Sequence, residues 1–198
     1  KNIDMVKLKE ATETAGPPII PVVKQIMAAC KDRHGEWVHW GATTQDITDT
    51  ATVLQIKEAL DLLEADLDGI YDGLAALAKK DRDTPMAGRS NLQQAVPITF
   101  GYKMATILAG FERHKQRLAQ MNERVLVGEF GGAAGTLSSL GDRGPEVQAE
   151  LMRELKLSQP AIAWPTVRAC IAALGCFLGL GPGTCGHSAV AAHLMMQT

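Results

Sequence analysis

The stretch of this 198-residue chain that predicts its fold reads ITDTATVLQIKEALDLLEADLDGIYDGLAALAKK, residues 47–80. Large apolar side chains recur in it at alternating spacings of three and four residues: Val53, Ile56, Leu60, Leu63, Leu67, Ile70, Leu74 and Leu77. This spacing is typical of an apolar seam along one face of an α-helix. At 1.5 Å per residue the helix would be roughly 50 Å long, which predicts a helical bundle and not a small globule.

A second long helix is predicted over residues 100–127, where the same spacing recurs. His114 occupies one position of its seam, and the others are apolar: Met104, Ile107, Phe111, Leu118, Met121 and Val125. We therefore interpret His114 as a core or interface residue and not as a metal ligand. Shorter helices are predicted over residues 3–15, 19–31 and 145–155, and residues 86–99 are predicted to form a polar loop.

Residues 166–198 have a mixed pattern. Apolar residues from Ile171 to Leu178 have helical spacing, whereas Pro182 and the glycines around it oppose an unbroken helix. We predict a helix there, with the glycine-rich middle as its weakest part. The whole pattern predicts an all-α, long-helix bundle, with residues 1–46 ending an N-terminal helical domain and residues 47–198 forming a central bundle domain.

Composition and charge exclude several classes of function. The formal net charge is −2 and no run rich in Lys and Arg occurs, so we expect neither nucleic acid nor an anionic membrane as a partner. The cysteines form no CxxC pair and lack zinc-ligand spacing, which predicts no metal site and a reducing, cytoplasmic location. The apolar stretch over residues 169–180 is too short to span a bilayer and contains glycine.

Three polar loops at the ends of predicted helices are candidates for function: residues 39–46, 88–94 and 131–136. Binding groups often lie in loops on a rigid scaffold, and helix N-termini favour anions, so these loops would suit a carboxylate-rich substrate. Polar loops also satisfy the backbone at helix ends. Thr43, Thr44 and Asp46 are therefore N-cap candidates as well, and residues 131–136 could form a plain turn.

These loops carry long motifs that resemble a known family. HWGATTQDITDT, residues 39–50, is similar to the first conserved region of adenylosuccinate lyases and bacterial 3-carboxy-cis,cis-muconate cycloisomerases. GRSNLQQAVPITFG, residues 88–101, resembles their second region, and FGGAAGT, residues 130–136, resembles the loop that follows. The resemblance covers nearly the whole chain in order and indicates the fumarase/aspartase superfamily.

The resemblance implies a specific architecture and chemistry. Family members are homotetramers whose long helices pool into one central bundle, and each active site is built from three subunits. The reaction makes or breaks a C–O or C–N bond beside a carboxylate, through an aci-carboxylate intermediate. We therefore expect a homotetramer that acts on a small polycarboxylate without a metal or an organic cofactor.

The resemblance also implies the site residues. His39 aligns with a histidine that serves as a proton donor or substrate ligand, although a loop histidine bonded to backbone is the simpler alternative. Thr43 and Thr44 match a hydroxyl pair that holds a carboxylate. The remaining candidates for substrate binding are Gln45, Asp46, Arg89, Ser90, Asn91, Gln93, Thr136 and Arg168, of which Arg89 could equally form a structural ion pair.

Several features depart from the family's pattern. Asn91 stands where adenylosuccinate lyases carry a catalytic histidine, and because an amide is not a general acid or base, the lyase interpretation is weakened. The cycloisomerase branch often lacks that histidine, so Asn91 favours that branch. Pro165 and Cys170 replace an expected histidine and an expected acidic residue. The family's third region, which supplies the catalytic serine base, does not occur in this sequence. Both chain ends look cut, and we expect the 198-residue chain alone to be inactive.

The function predicted on these grounds is lactonisation of 3-carboxy-cis,cis-muconate, or of a close analogue, in the degradation of aromatic compounds. The alternative within the family is adenylosuccinate lyase or another fumarate-releasing lyase. The alternative of another class is a non-catalytic helical oligomerisation module.

Overall fold

A computed structural model of the chain describes residues 3–196 and, within them, every side chain except that of Asp32. Its helices are α1 (Met5–Ala15), α2 (Ile19–Ala29), α3 (Thr44–Lys80), α4 (Phe100–Val125), α5 (Gly144–Leu155) and α6 (Ala169–Met195). Short 3-10 helices span Asp32–Trp37 and Ser138–Arg143. The prediction of an all-α fold with long helices is confirmed. Residues 1–2 and 197–198, on which the prediction about the chain ends rests in part, lie outside the described residues.

The described chain consists of two compact units. Unit 1 contains residues 3–56 and 126–168, and unit 2 contains residues 57–125 and 169–196. The domain boundary after residue 46 stays a prediction.

Unit 1 has an apolar core formed by residues distant in sequence. Val53, Phe130, Met152 and Leu157 are buried together, and Trp164 packs against this cluster. Gly128 is closely packed as well, because a Cβ atom added there would overlap the thioether of Met152. The core thus holds the start of α3, the segment after α4, and α5 in one body.

In unit 2 the predicted seam of α3 is only partly covered. Leu60 and Leu67 are buried, whereas Ile70 and Leu77 are 38% and 40% exposed. Lys115 of α4 pairs with Asp68 at 2.6 Å, which ties the two helices together at the surface. Within residues 57–125 and 169–196, no side chain packs over Ile70 and Leu77 closely enough to bury them.

The buried face of α4 matches its predicted seam, and His114 lies within it. The imidazole is 3% exposed, and its Nε2 lies 2.7 Å from Oγ1 of Thr184 on α6. The rings of Phe111 and Phe177 make edge contacts with it. The interpretation of His114 as a core residue is confirmed.

The predicted polar loop over residues 86–99 is wrong, because the structure has a β-hairpin there. Strand β1 (Pro85–Ser90) pairs antiparallel with β2 (Gln93–Thr99), with an irregularity between Ala87 and Arg89. Asn91 and Leu92 form the turn with φ of 51° and 63°. Most residues of the hairpin are exposed, so neither strand shows the alternation of apolar and polar residues that marks a half-buried strand.

Helix α6 is continuous over 27 residues and contains Pro182 in its interior. Helix propensity alone predicted a weak middle, because of the glycines, but packing against α4 stabilises the helix over its whole length. Residues 169–180, which were predicted to be too short for a bilayer, are therefore part of a longer apolar helix. By length and composition alone α6 could span a membrane, which is weak evidence because core helices of globular proteins share this property.

Candidate functional site

In unit 1 the carboxylate of Asp46 joins two of the three candidate loops. Its Oδ1 accepts a hydrogen bond from the N–H of Gly131 at 3.2 Å, and its Oδ2 accepts from the N–H of Gly132 at 2.9 Å. The same Oδ2 accepts from the N–H of Thr43 at 2.9 Å. Asp46 is 2% exposed, so these three amides are its environment in place of water.

The position of Asp46 in α3 explains this arrangement. The helix begins at Thr44, and Asp46 lies in its first turn. An acidic residue two positions after the first helical residue often accepts from the N–H of the residue before the helix, here Thr43. Its negative charge also lies at the positive end of the helix dipole. Local helix chemistry thus places the carboxylate, and the glycine loop supplies the two further donors.

Glycine permits the close approach of the two loops. Gly41 and Gly132 have φ of +74° and +75°, a region that favours glycine. A Cβ atom on Gly132 would lie 2.7 Å from the carbonyl oxygen of Gly41, and one on Gly41 would lie 2.7 Å from Cγ of Leu140. The backbones of residues 39–46 and 131–136 are therefore in direct contact.

His39 lies in the same loop in an unusual conformation. Its φ of 67° is in the left-handed region, which non-glycine residues adopt rarely. The side chain is half-buried, and Nδ1 is buried without a hydrogen-bond partner among the described residues. Strained residues of this kind cluster at functional sites, where surrounding structure holds them in place. Trp37 and Trp40, which flank it, are exposed and contact each other edge to face.

The hydroxyl candidates lie at the loop ends. Thr43 and Thr44 are half-buried at the start of α3, and Thr136 is exposed at the end of the glycine loop. Gln45 lies in the first turn of α3, and its Nε2 donates along the same helix to Oδ1 of Asp49 at 2.8 Å. The structure thus brings these four residues into unit 1 together with His39 and Asp46.

Arg168 also lies in unit 1, and its guanidinium group is already bound to a carboxylate. Nη1 and Nη2 donate to the two oxygens of Asp49 at 2.9 and 2.8 Å. Asp49 is 3% exposed, whereas 43% of the Arg168 side chain is accessible. The pair is therefore open to an incoming anion on the arginine side only. Asp49 neutralises the single positive charge of the guanidinium group, so a substrate carboxylate would have to share this group with Asp49.

Glu129, a buried acid beside the glycine loop, was not among the site residues predicted from the sequence. Its Oε2 accepts from the N–H of Trp164 at 2.7 Å, and its main chain bonds in both directions with the hydroxyl of Thr50. Burial raises the pKa of Glu129, the Trp164 N–H opposes that shift, and the charges of Asp46 and Asp49 add to it. A single acidic residue in the apolar run VLVGEF, residues 125–130, is the signal that could have indicated it.

The second candidate loop lies in unit 2, at the tip of the hairpin. Ser90, Asn91 and Gln93 are exposed there, and Asn91 is a turn residue. Arg89 forms no ion pair with a described residue; it donates from Nη1 to the carbonyl oxygen of Leu194 at 2.7 Å, near the end of α6. Within residues 3–196 the side chains of Ser90, Asn91 and Gln93 have no hydrogen-bond partner, so the tip presents three polar side chains on a backbone that the hairpin fixes.

Unit 1 brings together several groups that could take part in chemistry, although the N–H groups of Thr43, Gly131 and Gly132 are already bonded to Asp46. Hydroxyl groups, backbone N–H groups and the N-terminus of a 37-residue helix can stabilise a developing oxyanion, and His39 can carry a proton. Among residues 3–196, no group of three or more His, Cys, Asp or Glu side chains is placed to hold a metal ion.

Comparison with known proteins identifies the family of the chain. The model of the family described as Lyase matches residues 2–172. The chain is 52% identical to trans-aconitate decarboxylase 1 of Mycosarcoma maydis and 43% identical to 3-carboxy-cis,cis-muconate cycloisomerase of Pseudomonas aeruginosa. These matches cover 100% and 98% of the chain but only 40% and 43% of the relatives.

A solved structure supports the same assignment. The crystal structure of fumarate lyase from Mesorhizobium sp. BNC1 is 49% identical and has a TM-score of 0.94, over 100% of this chain and 47% of that chain. The sequences and the fold are therefore similar throughout, although the chain spans less than half the length of these relatives. The chain belongs to the Lyase family, within the fumarase/aspartase superfamily that its loop motifs indicate.

Proposed function

We propose that the full-length protein lactonises 3-carboxy-cis,cis-muconate or a close analogue through an aci-carboxylate intermediate. The observation that supports this most is the joining of the His39 loop to the glycine loop by Asp46, at the N-terminus of α3. These bonds bring His39 and the hydroxyls of Thr43, Thr44 and Thr136 into one body, and hydroxyl and imidazole donors can stabilise a carboxylate that gains negative charge in the transition state.

The proposed roles follow from the contacts in unit 1. His39 donates the proton or holds the substrate, and the hydroxyls of Thr43, Thr44 and Thr136 bind its carboxylates. Arg168 binds a carboxylate while Asp49 fixes its orientation. Gln45 and Asp46 were expected to bind substrate directly, but their side chains already serve protein groups, so we propose that both position the others.

The hairpin tip is the second part of the proposal. We propose that Arg89, Ser90, Asn91 and Gln93 bind substrate as the contribution of this chain to a site in a neighbouring subunit. This requires an oligomer, and the partly covered seam of α3 is a surface on which one could form. We further propose a homotetramer in the cytoplasm that uses no metal and no organic cofactor, and that binds neither nucleic acid nor membrane.

Decarboxylation of trans-aconitate is a second candidate, because a relative of that name is 52% identical. Both candidate substrates are unsaturated tricarboxylates, so the same anion site could hold either. The reactions differ in the bond that changes. Lactonisation adds a carboxylate oxygen across a double bond and protonates the neighbouring carbon, whereas decarboxylation breaks a C–C bond, releases CO2 and protonates the carbon left behind.

The experiment is a parallel assay of the full-length protein with 3-carboxy-cis,cis-muconate, trans-aconitate and adenylosuccinate. Loss of the diene absorbance with formation of lactone is the expected result. If the protein releases CO2 from trans-aconitate instead, the function is decarboxylation. If it releases fumarate from adenylosuccinate instead, the protein is a lyase. A folded oligomer that is inactive with all of them would favour the helical module. Glu146→Gln, a change at an exposed glutamate on α5, is the control variant and should leave the activity unchanged.

A further inference from the structure

Glu129 is a buried acidic group to which the proposed reaction assigns no role. The residue is 1% exposed, and one carboxyl oxygen, Oε2, accepts from the N–H of Trp164. The other oxygen, Oε1, is buried and has no hydrogen-bond partner among the described residues. An ionised carboxylate with one bare oxygen in such surroundings is costly, whereas a carboxylic acid is much less so.

The position of the side chain links it to the anion site. The main chain of Glu129 is held by Thr50, whose hydroxyl accepts from its N–H at 2.8 Å and donates to its carbonyl oxygen at 2.7 Å. A Cβ atom on Gly131 would lie 3.3 Å from Oε1. The carboxyl group therefore lies against the first residue of the glycine loop, and the N–H of that residue donates to Asp46.

The charges that act on Glu129 come from α3 and from the segment before α6. Asp46 and Asp49 are the carboxylates, and Arg168 is paired with Asp49. Residues 126–136 contain no other ionisable side chain. Burial raises the pKa of Glu129, and both carboxylates add to that shift against the opposing effect of the Trp164 N–H. An ionised Glu129 would add a third carboxylate beside a site proposed to bind a polyanion.

We propose that Glu129 is a positioning and specificity residue, which as a neutral acid fixes the glycine loop against residues 163–164 and keeps negative charge away from a bound tricarboxylate. Its effect reaches the substrate through Gly131 and Gly132. Since Oε2 is the acceptor for Trp164, the proton resides on Oε1. This inference rests on the proposed function, because it takes the ligand to be a tricarboxylate.

The kinetic test uses full-length wild type, Glu129→Gln and Glu146→Gln. Glutamine has the shape of the neutral acid and does not titrate. We expect the wild-type KM to rise at least about threefold as the pH increases from about 5 to about 8, with kcat changing less, because ionisation weakens ground-state binding. The KM of Glu129→Gln should rise less with pH, because this variant lacks the ionisation of residue 129, and Glu146→Gln should follow the wild type. Parallel KM profiles for wild type and Glu129→Gln would overturn the proposal.

A second measurement separates this inference from the proposed function. Binding of tricarballylate, a saturated tricarboxylate, is measured by calorimetry over the same pH range and requires no turnover. The ligand's own ionisation affects both proteins equally, so we expect the wild-type affinity to fall with pH relative to that of Glu129→Gln. If the protein turns over none of the tested substrates but shows this difference in affinity, the proposed function is wrong and the proposed role of Glu129 is supported. Equal pH dependence of both proteins would refute the role of Glu129.

The wild type alone gives a third test that does not depend on how the variant folds. Infrared spectroscopy detects the carbonyl stretch of a protonated carboxylic acid, and carboxylates lack it. We expect this band in the wild-type protein at neutral pH and its loss in Glu129→Gln. If the wild-type protein has no such band at neutral pH, Glu129 is ionised and the proposal is wrong.

Discussion

Removal of the Asp46 carboxylate tests whether it holds the two loops together. In Asp46→Ala three backbone N–H groups lose their acceptor, those of Thr43, Gly131 and Gly132. Each buried donor left unsatisfied costs about 1–3 kcal/mol. Since the loops can open to let in water, we expect a loss of about 3–5 kcal/mol in the free energy of unfolding, not the full sum.

Asp46→Asn sharpens the test because its effect follows from the geometry. The amide oxygen of asparagine can take the place of Oδ2 and keep the bonds to Thr43 and Gly132. The amide NH2 then faces the N–H of Gly131, so one bond is lost and two donors oppose each other. We expect Asp46→Asn to cost about 1–3 kcal/mol, less than Asp46→Ala.

Two measurements on the full-length protein check this order. Denaturant unfolding gives the change in stability, and hydrogen exchange at Gly131 and Gly132 reports whether the loop opens locally. Asp142→Ala is the control, since Asp142 is an exposed aspartate of the same unit, and its change should stay within about 0.5 kcal/mol. A loss for Asp46→Ala no larger than that of the control, with unchanged exchange, would refute the reasoning.

Three further predictions concern other contacts. Gly132→Ala should destabilise the protein more than Gly141→Ala. Both glycines have positive φ, but only at Gly132 would the added Cβ atom meet backbone. Denaturant unfolding of both variants measures the difference, and equal losses would contradict the close loop contact. Arg168→Ala leaves the buried carboxylate of Asp49 without its ion-pair partner. Because the arginine is partly exposed, we expect a loss of about 1–3 kcal/mol in the free energy of unfolding, together with a raised KM. An unchanged KM would exclude Arg168 from substrate binding. Burial first, then Arg117 and Arg113, lower the pKa of His114 below 6.5, so the folded state favours the neutral ring.

The prediction for His114 concerns the pH dependence of stability. Because the folded pKa is lowered, the unfolded chain binds more protons below pH 6.5, and stability should fall as the pH decreases through that value. His114→Gln keeps a donor for Thr184 but does not titrate, so its stability should change less with pH over this range. Thermal unfolding at several pH values measures both, and parallel curves would show that His114 does not account for the pH dependence.

The loop motifs indicated two loops that the structure joins in unit 1. Residues 39–46 and 131–136 were both candidates from sequence, and the structure places them in contact through Asp46. The role of Asp46 could not be read from the motif, because the side chain is equally suited to a ligand and to a helix cap. Glu129 escaped detection because its environment comes from Thr50 and Trp164, which are distant in sequence.

The long helices were determined by the sequence itself. The seams of α3 and α4 repeat with a helical period over many turns, and local apolar spacing is enough to specify such helices. His114 was correctly assigned to the buried face for the same reason. The loops were recognisable because glycines and hydroxyl residues stand at the helix ends, where the backbone requires them.

Only the tertiary structure decided the hairpin, α6 and the partners of the buried charges. The hairpin of residues 85–99 is mostly exposed, so its pairing depends on main-chain hydrogen bonds and leaves no pattern in the side chains. Helix α6 is unfavourable by propensity at Pro182 and its glycines, and packing against α4 compensates for this. The bonds from Asp46 to Gly131 and from Asp49 to Arg168 join residues 85 and 119 positions apart, and no local rule of sequence specifies contacts at such separations.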